Sequence, residues 1–175
     1  MTLTLAAGLA VARGVGEAAS VRCDIRWPND VMLEEKKLAG VLLESHSHEQ
    51  RFGFIVAGVG VNVNQERLPE EISGIATSLR LVTGREYDRQ ALLESILRRF
   101  DDYYERFLGR GPEAIIEAFC RASSWARGRR VRVEGGGEED LTGVTAGLDP
   151  TGMLLIETDL GRLRPVVAGS VRPLE

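Results

Sequence analysis

Residues 26–40 read RWPNDVMLEEKKLAG: a Trp27-Pro28-Asn29-Asp30 turn, a short apolar run at 31–33, then Glu34, Glu35, Lys36 and Lys37 in a row ahead of Leu38-Ala39-Gly40. Proline lacks a backbone N–H and fixes its own φ. Pro28 therefore ends any strand that precedes it and sets where the Asn29 amide and the Asp30 carboxylate point. Residues 21–26 alternate enough to be that strand. Beyond the turn, 31–33 and 38–44 read as the arms of a hairpin around Glu34-Glu35-Lys36. A third strand at 52–59 runs into Gly58-Val59-Gly60-Val61-Asn62. The stretch thus predicts an antiparallel sheet with a rigid polar turn at one strand end.

An amide beside a carboxylate can bind Mg²⁺ through oxygen, or orient an amine and a phosphate. Lys37 reaches the neighbouring strand next to Gly40, where the missing side chain lets a ligand approach backbone. Asn29, Asp30, Lys37 and Gly40 are therefore candidates for holding an anionic substrate, whereas Glu34, Glu35 and Lys36 read as a solvated hairpin tip.

Working outward, Leu3, Ala6, Ala7, Leu9, Ala10 and Val11 fit a buried amphipathic helix ending between Gly14 and Ser20. Residues 63–75 are polar, with a proline and a glycine, and read as a loop of the kind that covers ligands. The clearest helix spans 88–108, where Leu92, Leu93, Ile96, Leu97, Phe100, Tyr103, Tyr104 and Phe107 recur at three- and four-residue steps behind an Asp88 N-cap. Gly109-Arg110-Gly111 breaks it, and Pro112 suits the first turn of a second helix. From Gly128 the pattern changes to short strands separated by turn signals, which predicts a small β-barrel. The predicted organisation is α+β: residues 1–127 as a mixed or antiparallel sheet packed with helices, and 128–175 as a barrel too small to build a full core alone.

The composition, 43% hydrophobic and 27% charged, is that of an ordinary globular protein, and its apolar stretches fall far short of the ~20 residues of a membrane span. A net charge of −4 argues against a general nucleic-acid surface despite the cluster Arg127, Arg129, Arg130 and Arg132. Cys23 and Cys120 stand far apart without metal-ligand spacing, so a reducing cytoplasm is the simplest setting. No basic residue precedes the N-terminal apolar stretch, which speaks against a signal peptide.

The Trp27-Pro28-Asn29-Asp30 turn, followed by Lys37-Leu38-Ala39-Gly40 and an apolar strand ending in Glu44, resembles the signature of biotin protein ligases. The resemblance continues through Gly58-Val59-Gly60-Val61-Asn62-Val63-Asn64, through Ala76-Thr77-Ser78-Leu79, and into the C-terminal segment with Gly143, Asp149, Gly152 and Gly169. It implies an α/β domain of the class II aminoacyl-tRNA synthetase type that binds biotin and ATP, followed by an SH3-like domain. It further implies that Lys37 contacts the biotin carboxylate and the α-phosphate, and that Gly40, Gly58 and Gly60 bring backbone against biotin. Asn29 and Asn62 fall on the nucleotide side, with Arg26 and Val61 completing the cofactor-binding set. Asp30 is implied in the chemistry, with Mg²⁺ or with the acceptor lysine. The implied reaction joins biotin to ATP as biotinyl-5'-AMP and then to a lysine of a biotin carboxyl carrier domain. Lipoate-attaching enzymes share the fold, but the 27–40 segment favours biotin.

Two departures from the family pattern stand out. Arg26 occupies a position where the family most often has lysine, and a flat guanidinium holds phosphates differently from a point ammonium. Neither the family's Gly/Arg-rich loop nor its Ser/Thr-rich biotin-contacting segment occurs in the 26 residues before Trp27. Gly109-Arg110-Gly111 and 127–130 imitate the loop only superficially, since one joins helices and the other feeds a strand. The expectation is a C-terminal part of a ligase that forms little adenylate by itself, or a non-catalytic module binding biotinyl-adenylate or carrier protein. Its incomplete sheet is expected to promote self-association, for instance as a homodimer. No helix-turn-helix is detectable, so no nucleic-acid partner is expected.

Other residues read more simply. His46 and His48 fit an exposed hairpin loop better than a metal site. Trp125, Tyr103 and Tyr104 read as packing residues. Gly135-Gly136-Gly137 lacks the Lys-Ser/Thr ending of a phosphate loop and reads as a flexible turn, and Cys23 as a buried small hydrophobe in a strand.

Overall fold

The structure, a computed structural model, describes residues 1–48, 51–135 and 140–174. The chain begins with helix α1 (Thr2–Ala19), which has neither a side-chain N-cap nor an acidic first turn and ends at Ser20 in the left-handed region. Such a helix is held by packing. Leu5, Ala6, Ala7, Leu9, Ala10, Val11 and Val15 are all buried. At Gly14 a Cβ would meet the Ile96 backbone at 2.6 Å, so the glycine permits a close helix crossing, and Ser95 Oγ donates to the Gly14 carbonyl across it at 2.9 Å.

Four strands follow: β1 (Asp24–Arg26), β2 (Asp30–Leu33), β3 (Lys36–His48) and β4 (Arg51–Val61), antiparallel in the order β1-β2-β3-β4. β1 is shorter than the predicted strand at 21–26, and Cys23 falls just before it. β3 is longer than predicted, so His46 sits on a strand, stacked on Phe54 with ring centroids 5.0 Å apart. The rest of the expected histidine loop, Glu49 and Gln50, lies outside the described residues, as do Gly136 and Gly137 of the predicted glycine turn.

Residues 62–78 are irregular apart from the short helix α2 (Glu70–Ser73) and lead into α3 (Leu79–Thr83), capped by the Ser78 side chain. The two predicted helices follow end to end along α4 (Arg89–Ala122), the first capped by Asp88 and the two separated where Gly111 takes the non-helical φ 74° and ψ −177°. Only part of the apolar stripe is covered. Leu92 and Ile96 are buried against α1 and the sheet, while Leu93, Leu97, Tyr104 and Leu108 are exposed.

The remaining strands are β5 (Arg127–Glu134), β6 (Leu141–Leu148), β7 (Leu154–Glu157), β8 (Leu163–Val166) and β9 (Ser170–Pro173). They form an antiparallel sheet in the order β8-β7-β6-β5-β9. Among the described residues β8 and β9 each pair with one strand only, and no closed barrel is found. This sheet does lean on the first: Leu5, Leu9, Ile25, Trp27, Phe119, Trp125, Val131, Val133, Leu154 and Ile156 share one core. Each large side chain fully buried there contributes about 1.5–3 kcal/mol, which residues 128–175 could not gather alone. No helix among the described residues is long and apolar enough to cross a membrane.

Candidate active site

Strand register assembles the site. Arg26 pairs with Asp30, Asp30 with Gly40 and Gly40 with Gly60, so these residues form one row across all four strands and share a face. The two glycines leave that face bare beside a carboxylate and a guanidinium. In a regular strand Lys37, three residues before Gly40, would point to the opposite face. A β-bulge reverses this: Val31 pairs with Ala39 while the next residue, Met32, pairs with Lys37, leaving Leu38 unpaired. Bulges re-aim side chains. Lys37 accordingly lies over Gly40, where a Cβ would come 3.2 Å from its Cε and 3.3 Å from its Nζ.

The charged groups engage one another. Asp30 Oδ2 accepts from Arg26 Nη2 at 2.8 Å, and its Oδ1 lies 2.5 Å from Lys37 Nζ. The Arg26 and Asp30 side chains are largely buried, at 12% and 16% exposure, whereas Lys37 is 44% exposed and so remains able to meet a ligand. The segment 75–79 secures the lysine strand from the other side. Lys37 N–H donates to the Ile75 carbonyl at 2.8 Å, Thr77 N–H donates to the Lys37 carbonyl at 2.9 Å, and Asn62 Nδ2 donates to the Thr77 carbonyl at 3.0 Å.

A cavity of about 500 Å³ opens over this row, lined by Arg26, Asp30, Lys37, Gly40, Gly60, Val61 and Asn62, with Ile72, Ile75 and Ala76 from the irregular segment. Ser170 and Arg172 of β9 complete the lining. Sequence reasoning missed these two, because no local pattern places the end of the chain against a turn near its beginning. Two other candidates stand apart. Gly58 lies opposite Leu42 farther along β4, and Asn29 commits its side-chain amide to the Val41 carbonyl at 2.6 Å; neither lines the cavity. Cys23 lies outside it too, and burial, with the nearby Asp24 charge, pushes its thiol up to about 12. It is no nucleophile.

A larger cavity of about 600 Å³ lies between β4 and α4, lined mainly by Ala7, Val11, Val59, Leu92, Ile96 and Leu97. It shares only Val61 with the lining of the smaller cavity, and its walls are largely aliphatic, so the fixed charges gather in the smaller one. There three cations, Arg26, Lys37 and Arg172, face one carboxylate, which favours an anionic ligand. Both Asp30 oxygens hold cationic partners, and no group of three metal-binding side chains occurs among the described residues.

The model of the biotin/lipoate A/B protein ligase family matches residues 2–62, and that of the biotin protein ligase C terminal domain matches residues 127–172. The chain is 36% identical over 165 residues to a bifunctional ligase/repressor BirA of Bacillus subtilis, covering 91% of this chain and 49% of that protein. It is 37% identical over 172 residues to a biotin–[acetyl-CoA-carboxylase] ligase of Mycobacterium tuberculosis, covering 97% of this chain and 61% of that one. It thus spans roughly half to three fifths of the length of these relatives. The biotin protein ligase of Aquifex aeolicus superposes with a TM-score of 0.86 at 31% identity, over 99% of this chain and 75% of that chain. A structure of that ligase in complex with biotin and ATP gives 0.85.

Proposed function

The chain belongs to the biotin protein ligase family, and from that premise we propose that it serves the ATP-dependent attachment of biotin to a lysine of a carboxylase's biotin carboxyl carrier domain. Residues 1–127 would be part of the catalytic domain and 128–175 the C-terminal, SH3-like domain. The observation that carries the reading is the Arg26–Asp30–Gly40–Gly60 row with Lys37 folded onto it, a bare backbone floor flanked by fixed cations.

In the first step a carboxylate oxygen of biotin attacks the α-phosphorus of ATP, forming the mixed anhydride biotinyl-5'-AMP and releasing pyrophosphate. Lys37 and Arg26 stand where they can stabilise charge gathering on the phosphoryl oxygens, already oriented by Asp30. Gly40 and Gly60 admit the apolar body of the ligand against the sheet, and Asn62 falls on the nucleotide side. In the second step the acceptor amine attacks the anhydride carbonyl and AMP leaves. Asp30 would take the proton that the amine must lose once Lys37 has turned to the ligand. A Mg²⁺ ion would arrive held mainly by nucleotide phosphates and water, as is usual for this ion.

The test is pyrophosphate release from ATP. With the Gly/Arg-rich segment supplied in cis, release should require biotin and vanish in Lys37→Ala; undiminished turnover in that variant would remove Lys37 from the mechanism. A second reading is a non-catalytic module that binds biotinyl-adenylate or carrier protein. The 175 residues alone should then bind a biotinyl-adenylate analogue without releasing pyrophosphate, and robust biotinylation of a carrier domain by them would overturn that reading.

A further inference from the structure

The hairpin tip is exposed and Trp125 is buried in the shared core, as their local sequence suggests, yet both also make contacts that reach the charged row. Glu34 and Glu35 form the two-residue connection between β2 and β3, and both take positive φ, 50° and 62°. Glycine or asparagine is usual there, and a glutamate holds such a conformation only if something outside the turn fixes it. Arg129, at the start of β5, supplies the fixture. Its Nη2 and Nη1 donate to the two carboxylate oxygens of Glu35 at 2.7 and 3.3 Å. This is a fork-to-fork pair that specifies orientation as well as distance.

Arg129 also connects to Trp125. Its guanidinium carbon lies 4.5 Å from the centre of the Trp125 ring, and that of Arg26 lies 5.5 Å from the same ring. The connector carrying Trp125 is bound to β1 residue by residue. Ser123 Oγ donates to the Ile25 carbonyl at 2.5 Å, Ser124 N–H donates to Asp24 Oδ1 at 2.9 Å, and Trp125 meets Arg26. Trp125 is buried, yet its indole nitrogen has no hydrogen-bond partner among the described residues. Buried indoles normally find one, so the ring face rather than the N–H accounts for this residue.

We propose that Trp125 and Arg129 are positioning residues: Trp125 supports the Arg26 guanidinium against Asp30, and Arg129 fixes, through Glu35, the hairpin whose arms carry Asp30 and Lys37. The proposal rests on the ligase reading for its catalytic consequence, but its geometric content is independent of it. The second sheet thereby sets the geometry of a site built on the first.

Lys36 and Lys37 are the only lysines of the chain, so ¹³C labelling of lysine gives two ε-carbon signals that can be told apart with Lys37→Arg. Glu35→Gln, an exposed change that leaves the core intact, should displace or broaden the Lys37 signal, as should Arg129→Gln and Trp125→Leu. Trp125→Phe keeps an aromatic face and should restore the wild-type signal. In biotin-dependent pyrophosphate release, with the Gly/Arg-rich segment in cis, the first three variants should lose about tenfold in kcat per folded molecule, with KM for biotin within about twofold. An unmoved Lys37 signal in both Glu35→Gln and Arg129→Gln overturns the proposal, as does a Trp125→Phe variant no better than Trp125→Leu. If the unmodified ligase releases no pyrophosphate with biotin, the functional reading fails, and the Lys37 signal alone decides the positioning.

Discussion

Lys37 Nζ lies 2.5 Å from one oxygen of Asp30 while Arg26 donates to the other, so a single carboxylate orients two cations. Asp30→Asn removes the charge that holds them and the base that would take the acceptor's proton. Adenylate formation should fall about a hundredfold. Quench-flow measurement of pyrophosphate, compared with carrier biotinylation, checks this; equal rates for variant and wild type would leave Asp30 without a role in either step.

Gly40 and Gly60 occupy the same row but answer differently to a methyl group. Alanine at 40 meets the end of the Lys37 side chain at 3.2–3.3 Å, so the lysine must shift by a few tenths of an ångström while the fold survives. Alanine at 60 meets nothing of the protein within 4 Å. Gly40→Ala should therefore keep its stability and lose about tenfold or more in pyrophosphate release. Gly60→Ala should keep its Tm and weaken binding of a biotinyl-adenylate analogue. Unchanged affinity in Gly60→Ala would mean that no ligand lies against β4.

Trp27 Nε1 donates to the Gly152 carbonyl at 2.9 Å in the interior, joining the polar turn to the second sheet. Trp27→Phe leaves that carbonyl unpaired, at a cost of about 1–3 kcal/mol. At this chain length Tm should fall about 2–4 °C for each kcal/mol. Thermal unfolding followed by circular dichroism gives the answer, and an unchanged Tm would remove the hydrogen bond from the stability of the turn.

The turn that presents Gly152 is closed by Asp149, whose Oδ1 accepts from Thr151 N–H and Oγ1 and from Met153 N–H. Burial pushes this carboxyl up, but the hydrogen bonds from Thr151 and from the Met153, Thr151 and Gly152 amides outweigh it and hold the group below its usual 3.8. A carboxyl lowered on folding stabilises the native state above its unfolded pKa, and that stability is lost as pH falls through the folded value. Asp149→Asn should thus be less stable than wild type at neutral pH, with the gap closing below about pH 4. Urea unfolding at several pH values tests this; a gap independent of pH would assign the effect to turn geometry instead.

Much of the architecture was legible in the sequence because it rests on local chemistry. Pro28 ended a strand, Asp88 capped a helix, Gly111 broke it, and alternation past Gly128 marked a second sheet. The likeness of 27–40 to biotin protein ligases rested on the same short-range spacing, and family comparison places the chain where that spacing pointed. The exposed half of the α4 stripe shows the limit of such reading: periodicity tells which residues form one face, and not what covers it.

By itself the sequence determined which residues share a turn, a strand or a helix face, since steric and hydrogen-bonding preferences act over a few residues. Only the tertiary structure decided which side of the sheet Lys37 occupies. A bulge at Leu38 exists only in relation to the partner strand, and one unpaired residue reverses the parity of everything before it. Tertiary structure likewise took Gly58 and Asn29 out of the cavity and brought Arg172 into its lining. It also joined Glu35 to Arg129 across 94 positions, a contact that no local pattern can encode.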